Sequence, residues 1–390
     1  MTLHRFITQQ QIENVRQPLP EASYLPPRLY HDPEFYDFEI EKVFMRNWLP
    51  VGHVSELAEP NSYVTRDMFN EPILITSNGE GRIQAFSNVC RHRTARIAQG
   101  SGKFDERTRM INCPYHGWGY SADGELVSTP QMHKTANFDK HKCGLPKIAV
   151  DIWQGFIFVN FDGNAKPLSE QLATLDRVLE PFNIPAMHCS EFAQYPVNWN
   201  WKVSLENFTE GYHQVSVHAN SIEPYIPAKL QRYDDVDGPY NLFWMPSINK
   251  QPLFSLVPPC EGLPPEYHES MIVVNVFPLF HLIIDAGAVI WLDWEPRGVT
   301  DHDLRWRLLV PQSTAQMPDF AVRKLALVEL MKEVWAEDSL SCSGVNAGVR
   351  SRLAAVGRPC FMEKSVLQFQ QWLLDQYLHE EQQPGLIAKD

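Results

Sequence analysis

Apolar residues recur along the chain with two periods, and the changeovers divide it. After a proline-rich lead over Leu19 to Pro27, the positions Phe35, Phe38, Ile40, Val43, Phe44 and Trp48 fall mostly at three- and four-residue steps. That spacing predicts an amphipathic helix over Asp32 to Trp48, docked on a domain face. From Leu49 to Phe161 short alternating runs such as Pro72 to Thr76 and Arg82 to Phe86 take over, punctuated by Asn78-Gly79, Asp123-Gly124 and Asp162-Gly163. Period two with such turns predicts an all-β domain. Helical spacing returns over Leu168 to Phe182. Cys189 to Trp201 then reads as a strand leading into a helix, and Met271 to Pro278, His281 to Trp294 and Leu304 to Pro311 read as further strands. Helices are predicted over about Pro318 to Asn346 and over Glu363 to Tyr377, the last ending in a polar tail. An antiparallel sheet with a long covering helix is an α+β layer architecture. The expected division is a helical lead over 1–48, a β domain over 49–163 and an α+β domain over 164–390, with no internal repeat.

Phe243, Trp244, Met245, Phe277, Phe280, Trp291 and Trp294 make an aromatic-rich set. Most belong to a core, while a few suit a pocket wall, where they serve a planar ligand by stacking or a quaternary ammonium by cation–π attraction.

Charge and cysteine usage narrow the class. The net charge of −13 over 390 residues, with no clustered Lys/Arg excess, argues against nucleic-acid phosphates and membrane surfaces as partners. The first ten residues lack the apolar core of a signal peptide, and no uncharged apolar run reaches the length of a spanning helix. A soluble cytoplasmic protein is expected. Seven scattered cysteines are too odd in number for a disulfide framework. Cys143, Cys189, Cys260, Cys342 and Cys360 read as small buried or semi-buried residues.

Cys90 and Cys113 are different. Cys90-Arg91-His92 and Cys113-Pro114-Tyr115-His116 each supply one thiolate and one imidazole. A structural zinc usually collects its cysteines in one turn and its histidines in the other. The split arrangement suits a two-iron, two-sulfur cluster with one iron on the cysteines and one on the histidines; the neutral imidazoles raise its reduction potential. Trp118 and Tyr120, beside His116, are strand aromatics that can also shield such a cluster from water. A second set lies between Asn200 and His218. His213 and His218 are five apart and would diverge by about 140° on an ideal helix, so the helix must end or bulge between them. Glu210, three residues before His213, would share its helical face. Two imidazoles and one carboxylate form the facial set of mononuclear ferrous sites, and the carboxylate need not be near in sequence.

The stretches Asn88-Val89-Cys90-Arg91-His92-Arg93 and Cys113-Pro114-Tyr115-His116-Gly117-Trp118-Gly119-Tyr120 resemble the Rieske domain of ring-hydroxylating and related non-haem iron oxygenases. The gap between the two turns is longer than usual and holds the polar run Lys103 to Arg109, read as a loop insertion. Asn200-Trp201-Lys202, Asn207, Glu210, Tyr212-His213 and His218 resemble the mononuclear-iron segment of the same family. The resemblance implies an all-β Rieske [2Fe-2S] domain and a helix-grip, START-like catalytic domain. It implies cluster ligands Cys90, His92, Cys113 and His116, Fe(II) ligands His213 and His218, and Asn207 and Glu210 among the catalytic residues. Glu210 takes the place of an acidic residue that links the two metal centres across a subunit boundary, where most members carry Asp. The third iron ligand is expected near the C-terminal helix: Asp338 is favoured and Glu337 competes, Lys332 and Glu333 making a solvated helix face plausible for the latter.

By the same resemblance the chain is the terminal oxygenase component of a multicomponent system. It lacks the glycine-rich fingerprint of a nicotinamide or flavin site and the four-cysteine run of a plant-type ferredoxin. An NAD(P)H-dependent reductase, with or without a ferredoxin, would therefore supply electrons to the cluster and thence to the iron that activates O2. A homotrimer or a multiple of it is implied. The product would be a hydroxylated or dihydroxylated aromatic or other small substrate, as in aromatic hydrocarbon catabolism, or a molecule demethylated through a collapsing carbinolamine or hemiacetal. Glu at position 210 is similar to members that oxidise betaine- or carnitine-like trimethylammonium compounds. Two rivals remain: a Rieske electron-transfer protein without oxygenase activity, disfavoured by the intact His213 and His218, and a binding module with structural zinc.

Overall fold

The computed structural model describes residues 2–252 and 256–379. It divides into two compact units, one built from residues 45–168 and one from the described residues up to 44 and from 169 onward.

The first unit is all-β. Strands β1 (Leu49–His53), β2 (Ser62–Met68), β3 (Glu71–Ser77), β4 (Ile83–Ser87), β5 (Ser101–Lys103), β9 (Lys147–Trp153) and β10 (Phe156–Asn160) form an antiparallel sheet in the order β1-β10-β9-β4-β3-β2-β5. Strands β6 (Met110–Asn112), β7 (Gly119–Ser121) and β8 (Leu126–Ser128) form a second, three-stranded sheet. Leu74, Phe86, Ile97, Trp118, Tyr120 and Leu126 pack into one core that also encloses Cys90 and Cys113. The polar run Lys103 to Arg109 is the connection between β5 and β6. Asp105 orders it by accepting from the Arg107 and Thr108 amides and the Thr108 hydroxyl.

The second unit is built on a seven-stranded antiparallel sheet: β11 (His188–Val197), β12 (Arg232–Tyr233), β13 (Tyr240–Pro246), β14 (Ser270–Val276), β15 (Phe280–Asp285), β16 (Ala288–Gly298) and β17 (Asp301–Val310), in the order β11-β17-β16-β15-β14-β13-β12. The α+β class follows. The apolar run His281 to Trp294, expected as one strand, is a hairpin. Its turn at Ala286-Gly287 is buried: a Cβ on Gly287 would come within 2.5 Å of the Pro258 carbonyl oxygen, and Cys260 donates its N–H to Ala286 O. Only Asp285 and Gly287 mark the turn within an otherwise apolar run. The strand expected over Cys189 to Trp201 stops at Val197, the helix over Leu168 to Phe182 breaks at Leu172 into Leu168–Gln171 and Ala173–Leu179, and the helix expected over Asp32 to Trp48 runs from Pro33 to Glu39 before changing to π-type turns over Ile40–Phe44. The polar tail after the last helix, Lys364–Leu378, lies outside the described residues beyond 379.

Packing around the helix Trp201–Phe208 positions the site. Asn200 caps it by accepting from Lys202 N and donating to Val299 O, so the helix start is tied to the end of the sheet. His302 holds the same start. Burial pushes its imidazole down to about 4, so the neutral ring donates from Nδ1 to Trp199 O and accepts at Nε2 from Ser204 Oγ. Lys202 and Glu39, both fully buried, meet at 2.8 Å, and Trp201 Nε1 and Tyr377 Oη also donate to Glu39. Two buried opposite charges with every partner in place resist displacement. One turn on, Glu206 accepts from Tyr30 Oη at 2.6 Å and Gln370 Nε2 at 2.7 Å, and Gln370 Oε1 accepts from Leu25 N. The amino-terminal segment and the last helix thus clamp one short helix from two sides.

Candidate metal centres

Two loops of the β unit share one hydrogen-bond frame. Cys90 N donates to Ala95 O and Thr94 N returns to Cys90 O; Cys113 N donates to Trp118 O and Gly117 N returns to Cys113 O. In each loop the fourth residue after the cysteine has positive φ, 52° at Thr94 and 72° at Gly117. Glycine takes that conformation freely, whereas a β-branched threonine holds it only under constraint from its surroundings. The frames set both thiols into the core and both imidazoles at the surface. The His92 and His116 ring centroids lie 4.6 Å apart, and Trp118 stacks on His92 at 4.8 Å. Tyr120 Oη lies 3.3 Å from Cys90 Sγ and accepts from Arg91 N at 3.0 Å, so this strand aromatic also touches the thiol. Paired soft thiols beside paired imidazoles are a donor set that fits a two-iron, two-sulfur cluster.

In the α+β unit the helix Trp201–Phe208 ends before Glu210. Glu210 and His213 therefore do not share a helical face. They sit in a turn in which the Glu210 carboxylate accepts from the Tyr212 and His213 amides and pairs with His213 Nδ1 at 2.7 Å. Gly211 in this turn lies so close to the Gln231 side chain that a Cβ would collide with it. One short helical turn, Gln214–Val217, separates the two histidines and brings both rings to one place, centroids 5.2 Å apart. The long helix Phe320–Gly348 buries a stripe of Leu327, Met331, Val334, Trp335, Asp338 and Cys342, and this presents Asp338 to them.

Single donor atoms of His213, His218 and Asp338 all lie within 4.8 Å of one another. Asp338 Oδ1 is 3.0 Å from His218 Nε2 and 3.6 Å from His213 Nε2, and it accepts from Asn207 Nδ2 at 2.9 Å. Glu337 turns away from this point. Its carboxylate pairs with His218 Nδ1 at 2.7 Å and accepts from Ser221 Oγ. Each imidazole thus directs Nδ1 to an outer carboxylate and Nε2 inward. Burial disfavours the imidazolium at both rings, but Glu210 and Asp338 outweigh it at His213, and Asp338 and Glu337 at His218, holding both above the ordinary value. Three carboxylates around two imidazoles leave negative charge that a divalent cation would compensate, and two imidazoles with one inward carboxylate fit ferrous iron. Sequence reasoning missed the roles of Glu337 and Ser221 because a partner of His218 Nδ1 leaves no trace in spacing.

Over this site opens a pocket of about 760 Å3, its mouth included. Phe208, Phe243, Met245, Val273, Ile283 and Trp306 give it a mostly apolar wall, and none of its described lining residues is Lys or Arg. Of the aromatic set named above, Phe243 and Met245 reach the pocket, while Trp291 and Trp294 are buried.

A Rieske [2Fe-2S] domain matches residues 47–139, and the catalytic domain of the ring hydroxylating alpha subunit matches residues 186–379. The chain belongs to this family of Rieske, ring-hydroxylating alpha subunits, whose two domains imply a [2Fe-2S] cluster and a mononuclear iron. It is 36% identical over 204 residues to the carnitine monooxygenase oxygenase subunit of Escherichia coli (strain K12), covering 51% of this chain and 53% of the relative. It is 32% identical over 207 residues to the chloroplastic choline monooxygenase of Spinacia oleracea, 51% and 46% of the two chains. The chain thus spans about half the length of these relatives. Two crystal structures share the fold: a quaternary ammonium Rieske monooxygenase (TM-score 0.78, 23% identity, 95% and 98% covered) and naphthalene 1,2-dioxygenase from Rhodococcus sp. (TM-score 0.80, 19% identity, 96% and 98% covered). The sequence relatives carry the names of quaternary ammonium compounds, so the expectation of aromatic hydrocarbon catabolism is not supported. No helix among the described residues is long and apolar enough to cross a membrane.

Proposed function

We propose that the chain is the terminal oxygenase component of a Rieske non-haem iron system and that it oxidises a quaternary ammonium compound. Cys90, His92, Cys113 and His116 hold the cluster; His213, His218 and Asp338 hold ferrous iron. When bound, the cluster passes single electrons and the iron activates O2. The observation that carries the reading is the convergence of His213, His218 and Asp338 at an apolar, aromatic-walled pocket. The rings of Phe208, Phe243 and Trp306 suit a trimethylammonium group, which has no hydrogen-bond donor and is held by cation–π attraction of about 0.5–2 kcal/mol per ring.

The remaining residues orient and insulate. Glu210 and Glu337 fix the imidazole tautomers, Asn207 steadies Asp338, and the apolar wall keeps water from the reacting end. Glu210 also serves as the bridge by which a neighbouring subunit's cluster reaches this iron in a trimer. The exposed His92 and His116 edges are the point of electron exchange, with an external reductase as the source and the cytoplasm as the compartment. The test is iron and inorganic-sulfide analysis of the purified protein, followed by O2 uptake with a surrogate reductase and a panel of quaternary ammonium and aromatic substrates. Cluster-plus-iron stoichiometry with ammonium-dependent uptake is expected. Zinc in place of iron, or uptake with aromatics alone, would overturn the reading.

A further inference from the structure

One row of side chains crosses five strands on the pocket face of the sheet. Asn241 of β13 stands opposite Asn275 of β14, Asn275 opposite His281 of β15, His281 opposite Leu292 of β16, and Leu292 opposite Trp306 of β17. Directly opposed residues share a face. Two polar amides and an imidazole, all fully buried, are out of place on a wall otherwise made of Phe243, Val273 and Ile283 unless they have a task.

Their hydrogen bonds run in one direction only. Asn241 Nδ2 donates to the Ser365 backbone carbonyl at 3.2 Å, and a carbonyl can only accept. Asn241 Oδ1 therefore faces Asn275 and accepts from its Nδ2 at 2.6 Å. Asn275 Oδ1 in turn faces His281 Nδ1, which must carry the proton. The relay thus leaves His281 Nε2 as a bare lone pair. Burial favours the neutral ring, pushing its pKa down to about 3. Nε2 is buried and without a partner among the described residues, and His281 lines the pocket. An acceptor locked in this state inside an apolar cavity is unsatisfied until a donor arrives.

We infer that His281 is a specificity-determining residue whose Nε2 accepts a hydrogen bond from a substrate hydroxyl, so that the pocket selects a quaternary ammonium alcohol over a carboxylate-bearing betaine. The inference rests on the pocket being the substrate site. A carboxylate at this position would set acceptor against acceptor. Relieving the clash would require either a proton on Nε2, making an imidazolium that burial disfavours, or the other tautomer, and hence both amides turned over and Asn241 Oδ1 pressed on the Ser365 carbonyl oxygen. No Lys or Arg among the described lining residues offers the carboxylate another partner.

The experiment is calorimetric binding to the iron-loaded protein with matched pairs: choline against ethyltrimethylammonium, which lacks only the hydroxyl, and choline against glycine betaine. Wild type should bind choline at least tenfold more tightly than either, about 1.4 kcal/mol, and His281→Leu should bring the first ratio close to one. In parallel, 15N NMR of histidine-labelled wild type should show a protonated Nδ1 and an unprotonated Nε2 at His281, with the Nε2 signal moving on addition of choline. A first ratio near one in wild type, its persistence in His281→Leu, tighter betaine than choline, or a proton on Nε2 in the free protein would each overturn the inference. If no ammonium compound binds, the proposed substrate class falls by itself. His281 is then judged on the NMR result and on 1-indanol against indane, where equal binding would overturn it.

Discussion

Asp338 and Glu337 are neighbours on one helix with opposite orientations, and the difference is measurable. Asp338 Oδ1 faces both Nε2 atoms, so Asp338→Ala should abolish mononuclear iron in metal analysis while the visible cluster absorption stays. Glu337 holds only His218 Nδ1, so Glu337→Gln should retain the iron with affinity lowered on the order of 10- to 100-fold in a chelator competition. Glu210→Gln keeps an oxygen for the Tyr212 and His213 amides but loses the charge beside His213. It should keep both metals yet slow the single-turnover oxidation of pre-reduced enzyme, and a wild-type rate would remove the bridging role. At the cluster, the Tyr120 hydroxyl beside Cys90 Sγ favours the more negative, reduced form. Tyr120→Phe should lower the potential by about 40 mV, one neutral hydrogen bond for a one-electron couple. At this scale the donor atoms were legible in sequence because metal chemistry demands particular residue types at close spacing. His281 was not, since a lone histidine in an apolar strand looks like any other buried histidine until its partners across three strands are known.

Among elements, the helix Trp201–Phe208 depends on a carboxyl that is costly to ionise. Burial, resisted by the Tyr30 and Gln370 hydrogen bonds, pushes Glu206 up to about 7. The folded chain therefore holds a proton that the unfolded chain releases near 4.5. This contribution to stability is complete below the unfolded value and is lost as pH rises through about 7. Glu206→Gln should remove that slope, leaving the variant the more stable at pH 8 by at most about 3 kcal/mol, less whatever solvent screening takes away, in denaturant unfolding from pH 4 to 8. The long helices and most strands were legible because their periods are sustained over many residues. The hairpin at Ala286-Gly287 and the π-type turns at Ile40–Phe44 were not. Asp285-Ala286-Gly287 is a brief interruption between two apolar stretches, and a one-residue change of helical register barely alters the apolar spacing. The turn at Glu210 failed for a related reason: spacing of three describes a helix pair only while the helix lasts.

Over the whole molecule the two metal sites belong to differently built units. Among the described residues the β unit is one continuous stretch, 45–168, whereas the other unit joins residues up to 44 with residues 169–379. Removal of ferrous iron by a chelator should accordingly leave the cluster spectrum intact. The last helix, Lys364–Leu378, supplies Gln370 to the Glu206 clamp, Tyr377 to Glu39 and the Ser365 carbonyl that ends the His281 relay. During synthesis the cluster-bearing unit has its full sequence once residue 168 has emerged. The iron-bearing unit must wait for the final helix, some 200 residues later, or roughly 10 to 40 seconds at ribosomal speeds of about 5–20 residues per second. A nascent chain arrested just short of Lys364 should shelter residues 45–168 from protease while the rest is digested, so the part that would hand electrons on matures before the part that would receive them exists.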